Sequence, residues 1–296
     1  WGMTYTMMDI PFWSMIPAFT EAGKEREGLS AFARSCAGVG SALVSIVTVM
    51  SVAALGKAFG GTTDNEINRI GYSKFALIIA VLFVIFILIT CLCIKEKSTV
   101  DMKNASIGEM FRALIQNDQA MTVVVAIVMI NTALYITQQL VYFFLKYDFS
   151  PSTYQGDFTL FNMVGGGCQI LAMMILFPVL RRFMDTIKIF YTCFGMAVTG
   201  YILIIIISAT GTSSVGWLFI PAAFIMSAVG VLNVIITVFL ANTVDYGEFK
   251  NSRRDESVIF SMQTFVVKLA SGIAGFISSM VLFVFHISSN KEAVVT

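Results

Sequence analysis

The sequence predicts an all-α membrane protein, a bundle of eight long apolar helices. Three observations carry that expectation. Of the 296 residues, 57% are apolar or aromatic and 12% are charged, half the ~25% charge of an ordinary soluble domain. Mean hydropathy is +0.83, and no globule of this length has enough interior to hide so much apolar surface. The apolar residues also fall in eight runs of about 20 residues or more, the length at which a helix crosses the hydrocarbon of a bilayer. Spanning strands would be ~10 residues long with alternating polarity, and these runs are too long and too uniform for that.

In chain order the runs lie at about 1–20, 35–59, 72–94, 119–145, 157–180, 188–208, 217–244 and 257–287. The longest charged connection, 95–118, divides them into a first group of three spans (1–94) and a second group of five (119–296). The first run begins at Trp1 with no Met start or signal peptide before it, so the chain is expected to be the interior of a longer membrane protein. That run carries Tyr5, Asp9 and Trp13 at i, i+4 and i+8, which places them on one helix face, with Thr6 three positions before Asp9. Connection 95–118 holds Ile107, Met110, Phe111, Leu114 and Ile115 at helical spacing and reads as an amphipathic helix on the membrane surface. The fourth run has a polar stripe of Asn131, Tyr135, Gln138 and Tyr142, and the seventh has Asn233 and Thr237. Interhelical hydrogen bonds explain such stripes as readily as cavity lining does. Gly165, Gly166 and Gly167 in the fifth run permit close helix approach or a local bend. The last run carries Gln263, Thr264 and Lys268, and ends near His286.

Orientation follows from Lys and Arg in the connections. The odd-numbered ones (21–34, 95–118, 181–188 and 245–256) hold thirteen and the even-numbered ones three. Positive connections stay inside, so the odd ones are predicted to be cytoplasmic, in a multi-pass protein of the inner or plasma membrane. Connection 245–256 mixes both charge signs, with Asp245, Glu248 and Arg254 among them, and predicts ion pairs that form and break as a cavity closes and opens on that side.

Net charge is +1, so no nucleic-acid partner is indicated. The five cysteines sit inside apolar runs without metal-ligand spacing and read as small packing residues rather than disulfides or a metal site. No Ser/His/Asp arrangement, HExxH or P-loop is present, and no enzyme is predicted.

Two ionisable residues lie deep in spans, where each costs ~2.5–3.5 kcal/mol on the lenient insertion scale and needs a reason. Asp9 is twelve positions from Glu21, and Lys268 is twelve from Glu256. At ~1.5 Å per residue both stand ~18 Å in, near the midplane. Opposite charges at matched depth, one in each group of spans, predict a shared polar cavity. Aromatic rings beside carboxylate, ammonium and amide groups suit a sugar, which stacks on a ring and hydrogen-bonds through several hydroxyls. The alternative is a structural Asp–Lys bridge in a non-transporting sensor or assembly subunit, although such a pair is often no more stable than apolar residues.

The stretches YTMMDIPFWSMIP (Tyr5–Pro17) and ANTVDYGEFKNSRRDESVIFSMQTFVVK (Ala241–Lys268), with NDQ at Asn117–Gln119, resemble signatures of the glycoside-pentoside-hexuronide:cation symporters. These are the melibiose-permease-like branch of the major facilitator superfamily. The resemblance covers nearly the whole chain and implies spans four to eleven of a twelve-helix transporter, with 95–118 as the central loop between two six-helix halves. It implies that Tyr5, Asp9, Trp13, Arg34 and Lys268 contact sugar or shape its pocket, joined by the polar face of Gln263 and Thr264. Asn131 also looks similar to the family. Thr6 stands beside the coupling-cation site together with Asp9, and Asp245, Glu248 and Arg254 are cytoplasmic gate charges. Asn233 stands at the seventh-span position where the melibiose-type member carries a pocket Trp, so the sugar need not be melibiose and is left open. The acidic residues of the family's second helix are not in this chain, so Na+, H+ and Li+ all remain open as the coupling cation. The expected protein is a monomeric sugar:cation symporter working by alternating access, whose partners are sugar, a monovalent cation and the bilayer, with no other cofactor.

Overall fold

The computed structural model describes residues 2–20, 23–94, 115–211, 214–251 and 256–285. Among these there is no strand. The helices are α1 (Gly2–Phe19), α2 (Lys24–Ala58), α3 (Asp64–Cys93), α4 (Asp118–Phe144), α5 (Tyr154–Leu171), α6 (Phe177–Phe183), α7 (Thr186–Ala209), α8 (Phe219–Asn251) and α9 (Glu256–Val284). π-Helical turns at Leu145–Phe149 and Ala172–Leu176 extend α4 and join α5 to α6, and a 3-10 turn at Val215–Leu218 leads into α8. Trp1, the amphipathic helix expected within 95–118 as far as Leu114, Arg254 and His286 lie outside the described residues.

Seven segments are long and apolar enough to cross a membrane, against eight expected. The difference is α1, an 18-residue helix in which Asp9, four hydroxyl side chains and two prolines lower the hydropathy. The connections also differ from expectation. Residues 24–34 are not a loop but the first turns of α2, residues 181–183 and 186–188 are helix ends, and α8 continues to Asn251. Arg26, Glu27, Arg181, Asp245 and Lys250 there pair across helices, so the backbone at those points has no need to unwind into water.

The chain forms two compact units, Trp1–Ser35 with Met102–Thr296, and Cys36–Asp101. In the first, α8 is the axis. Of its most apolar stretch 72% is buried, against 28% or less for the other spans. Helices α4, α5, α7 and α9 pack around it, and α1 rests on α8 and α9. One core joins Trp13 and Ile16 of α1 to Val124, Ile127, Leu240 and Phe260. A second joins Ala31 of α2 to Met173, Phe177, Ile189 and Val231. Close approach to α8 depends on small residues, as expected where lipid offers no hydrophobic drive between helices. A Cβ at Gly200 would stand 2.5 Å from Ile225 Cγ1, and one at Gly230 would stand 2.5 Å from the carbonyl oxygen of Gln169. Within the Gly165–Gly167 run, only Gly165 is pressed against a neighbour, Met226. Cys193 is buried in the core, as a packing role requires, whereas Cys36, Cys91 and Cys93 are exposed.

The second unit is a helical hairpin of the rest of α2 and α3. Gly60, at φ +90°, makes the turn, and a capping box between Thr63 and Glu66 starts α3. The helices touch backbone to backbone, since a Cβ at Gly56 would lie 2.0 Å from the Ile67 oxygen and one at Gly71 would lie 2.1 Å from the Val52 oxygen. Gly56→Val therefore forces the hairpin apart, an overpacking cost of about 1–3 kcal/mol, read as a lowered Tm of the detergent-purified full-length protein. Gly40→Val, where a Cβ meets nothing within 4 Å, leaves Tm unchanged.

Candidate functional site

The site begins with the i, i+4 spacing on α1. Asp9 Oδ1 accepts a hydrogen bond from Trp13 Nε1 at 2.9 Å and another from Tyr5 OH at 3.3 Å. Oδ2 accepts none from the described residues. Trp13 is buried, at 8% exposure, and Tyr5 is 40% exposed. The Arg34 guanidinium of α2 lies 3.8 Å from the Trp13 ring centroid, a cation–π contact strengthened by removal from water. Arg34 Nε in turn donates to Thr237 Oγ1 of α8 at 2.8 Å. That hydroxyl donates to the Asn233 carbonyl oxygen at 3.0 Å. A continuous polar path, Tyr5–Asp9–Trp13–Arg34–Thr237–Asn233, thus crosses three helices inside one compact unit.

The other sequence-predicted residues are placed around it unevenly. Lys268 is exposed on α9 and has no ion-pair partner among the described residues. It shares a face with Thr264, whose hydroxyl donates to the Phe260 carbonyl oxygen at 3.3 Å, and Gln263 beside it is half-buried. Because α1 packs on α9, Asp9 and Lys268 stand on neighbouring helices, but no Asp–Lys bridge joins them. Asn131 Nδ2 donates to Ile127 of its own helix at 2.9 Å. Thr6 is half-buried on α1. Of the Asn131 stripe, Tyr135, Gln138 and Tyr142 line a separate cavity of about 390 Å3 with Phe143 and Phe158.

The charges of the odd-numbered connections converge at one end of the first unit. Asp245 accepts from Arg26 Nη1 at 2.5 Å, and Arg26 is 1% exposed. The same guanidinium donates to Asn242 Oδ1 at 3.0 Å and, through Nη2, to the Thr20 carbonyl oxygen at 2.8 Å. Glu27 accepts from Arg181 Nε at 2.5 Å and from Thr186 Oγ1 at 3.0 Å. Lys250 Nζ and Tyr246 OH donate to Asp118 Oδ1 at 2.6 and 3.2 Å. Segments around 20–27, 117–118, 181–186 and 242–250 are therefore on the same side, as the loop charges require. Glu248 belongs to this end of α8, and Arg254 lies outside the described residues. Sequence reading missed Arg26, Glu27 and Arg181. The signal was available in the spacing, since buried Arg26, Glu27, Ser30, Ala31 and Ser35 follow the period of a helix face.

Asn117 shows why the NDQ stretch matters physically. Its Oδ1 accepts from Ala120 N at 3.0 Å, capping α4, and its Nδ2 donates to the Thr243 carbonyl oxygen of α8 at 2.9 Å. Gly247 leaves the room, because a Cβ there would lie 2.9 Å from Asn117 Nδ2. Asn117→Ala loses both the cap and a buried interhelical bond, about 1–3 kcal/mol together, measurable as a Tm decrease. Asn117→Asp, which keeps only the cap, recovers part of it.

The fold and this site define a polytopic helical membrane protein with a charged polar path between its helices. All 296 residues match the family described as MFS/sugar transport protein, and the chain belongs to that family. It is similar to the raffinose carrier protein of Pediococcus pentosaceus, 25% identical over 98% of this chain and 44% of the relative. It is similar also to the lactose permease of Leuconostoc lactis, 24% identical over 93% and 42%, and to the isoprimeverose transporter of Lactiplantibacillus pentosus, 26% identical over 94% and 56%. The chain spans about half the length of these relatives.

Proposed function

We propose that the chain is part of a cation-coupled sugar symporter that works by alternating access, and not an enzyme. The observation that carries this reading is the Asp9 carboxylate, held in place by Trp13 and Tyr5 with its second oxygen accepting no hydrogen bond from the described residues. Removing a carboxylate from water is costly, and this one, near the Arg34 charge but without an ion pair among the described residues, is oriented by hydrogen bonds and prepared for a ligand. Sugar hydroxyls suit Oδ2, and the exposed Tyr5 ring offers a stacking face, whereas the Trp13 ring is already covered by Arg34. Lys268 and Gln263 present further donors from α9. A monovalent cation, Na+, H+ or Li+, bound near Thr6 and Asp9 reduces the negative charge there and favours the sugar, and by linkage the sugar favours the cation. The Arg26–Asp245, Glu27–Arg181 and Asp118–Lys250 pairs close the cytoplasmic end, and their rupture opens it. The names of the relatives support a sugar as cargo. A monomer suffices for this scheme.

Uptake by the full-length transporter tests the reading, with radiolabelled glycosides, pentosides and hexuronides each supplied under a Na+ or a proton gradient. Accumulation of one sugar class dependent on one gradient is expected. Equal, gradient-independent equilibration of every sugar contradicts symport, and no uptake of any sugar by correctly inserted protein contradicts the sugar reading.

A further inference from the structure

Away from Asp9, the end where the charges converge carries a groove of about 570 Å3 between α2 and the α5–α6 junction. Lys24, Arg181 and Arg182 line one end of it, exposed Phe32, Met174 and Pro178 form its apolar walls, and buried Met173 and Phe177 lie at its floor. Lys24 is the first residue of its span and Arg182 falls in the last turn of the other. From Lys24 to Phe32, and from Arg182 back to Met174, each wall runs eight residues inward, about 12 Å of helix. Both walls thus pass from cationic to apolar over the same depth, the polarity profile of one bilayer leaflet.

The walls have identifiable causes. The π-helical turn Ala172–Leu176 displaces Met173 and Met174 from the ordinary helix line, and such turns recur at functional sites. Gly28 keeps the opposite wall clear, since a Cβ there meets nothing within 4 Å. Glu27 does not oppose an anion, because Arg181 neutralises it at 2.5 Å. Lys24 and Arg182 have no ion-pair partner among the described residues.

We infer that this groove binds an anionic phospholipid, its phosphate between Lys24 and Arg182 and an acyl chain along Phe32 and Met174. Basic pockets between spanning helices recognise such headgroups, and methionine adapts its shape to a flexible chain. A free anion would gain nothing from the apolar floor. Lipid at this position touches the α2 start and the α6 end together, the same two elements joined by Glu27 and Arg181.

Native mass spectrometry of the full-length protein, released from nanodiscs with equal phosphatidylglycerol and phosphatidylcholine, tests the inference. Retained phosphatidylglycerol is expected to exceed phosphatidylcholine. Lys24→Gln and Arg182→Gln each lower its retention about fivefold and together about twenty-five-fold. Gly28→Phe, which fills the groove and leaves every charge in place, abolishes retention of the specific lipid. Equal retention of the two lipids, indifference to the charge variants, or full retention in Gly28→Phe overturns the inference. Retention of neither lipid also overturns it, and indicates that another segment of the longer protein covers the groove.

Discussion

Replacing Asp245 by Ala is expected to destabilise the full-length protein more than replacing Arg26 by Ala, although both break the same bond. The reason lies in which charge is left behind. The Arg26 side chain is 2% exposed and that of Asp245 33%, so the guanidinium left behind stays in the interior while the carboxylate left behind keeps access to water. Breaking a buried pair from one side costs about 3–5 kcal/mol, and Asp245→Ala falls in that range. Arg26→Ala falls at or below its lower end, because the remaining carboxylate is solvated, although Thr20 and Asn242 lose their donor as well. The double variant costs less than the two single losses added, since it strands neither charge. Chemical or thermal denaturation of the four proteins in one detergent completes the cycle. Additive losses would remove the ion pair from the account of how this end is held together.

That ion pair also marks where sequence reading stopped. The spans were legible because a helix in lipid has to be apolar for about 20 residues, and the shared side of the odd-numbered connections because Lys and Arg sort by compartment. Ion pairs that connect the odd-numbered segments are the same regularity in three dimensions. Arg26 and Glu27 were not legible as interior residues, because their burial depends on Asp245 and Arg181, more than 150 positions away. A lone KEREG stretch looks like a solvated connection until its partners are known. The Asp9 site was half legible. The i, i+4 spacing placed Tyr5, Asp9 and Trp13 together correctly, since it depends only on helix geometry. Arg34 covering the Trp13 ring, and Thr237 anchoring Arg34, required the packing of α2 against α8. Asp9 and Lys268 share neighbouring helices but no bond, a distinction that matched depth alone does not make.

The second large effect concerns Asp9 itself. Asp9→Asn keeps an oxygen for Trp13 and Tyr5 and removes the charge, so the helix face stays intact. Hydrogen bonds to a charged group contribute about 1.5–3 kcal/mol each. Loss of one such bond weakens sugar binding about 10–150-fold. Stability moves the other way, because an ionised carboxylate within the membrane is itself unfavourable by ~2.5–3.5 kcal/mol. Asp9→Asn therefore keeps or raises Tm while transport falls. A structural Asp–Lys pair predicts the opposite pattern, a lower Tm with transport affected only through misfolding. Lys268→Gln follows the Asp9 pattern, since Lys268 is exposed and makes no ion pair among the described residues.

The proposed ligand role of Asp9 is separable from a role in the fold. The most direct measurement is sugar affinity and Tm on the same purified full-length protein, wild type against Asp9→Asn, in the presence of the cation that drives uptake. A ligand role reduces affinity at least tenfold at an unchanged or higher Tm. Unchanged affinity, or an affinity loss that tracks a fallen Tm, would contradict it.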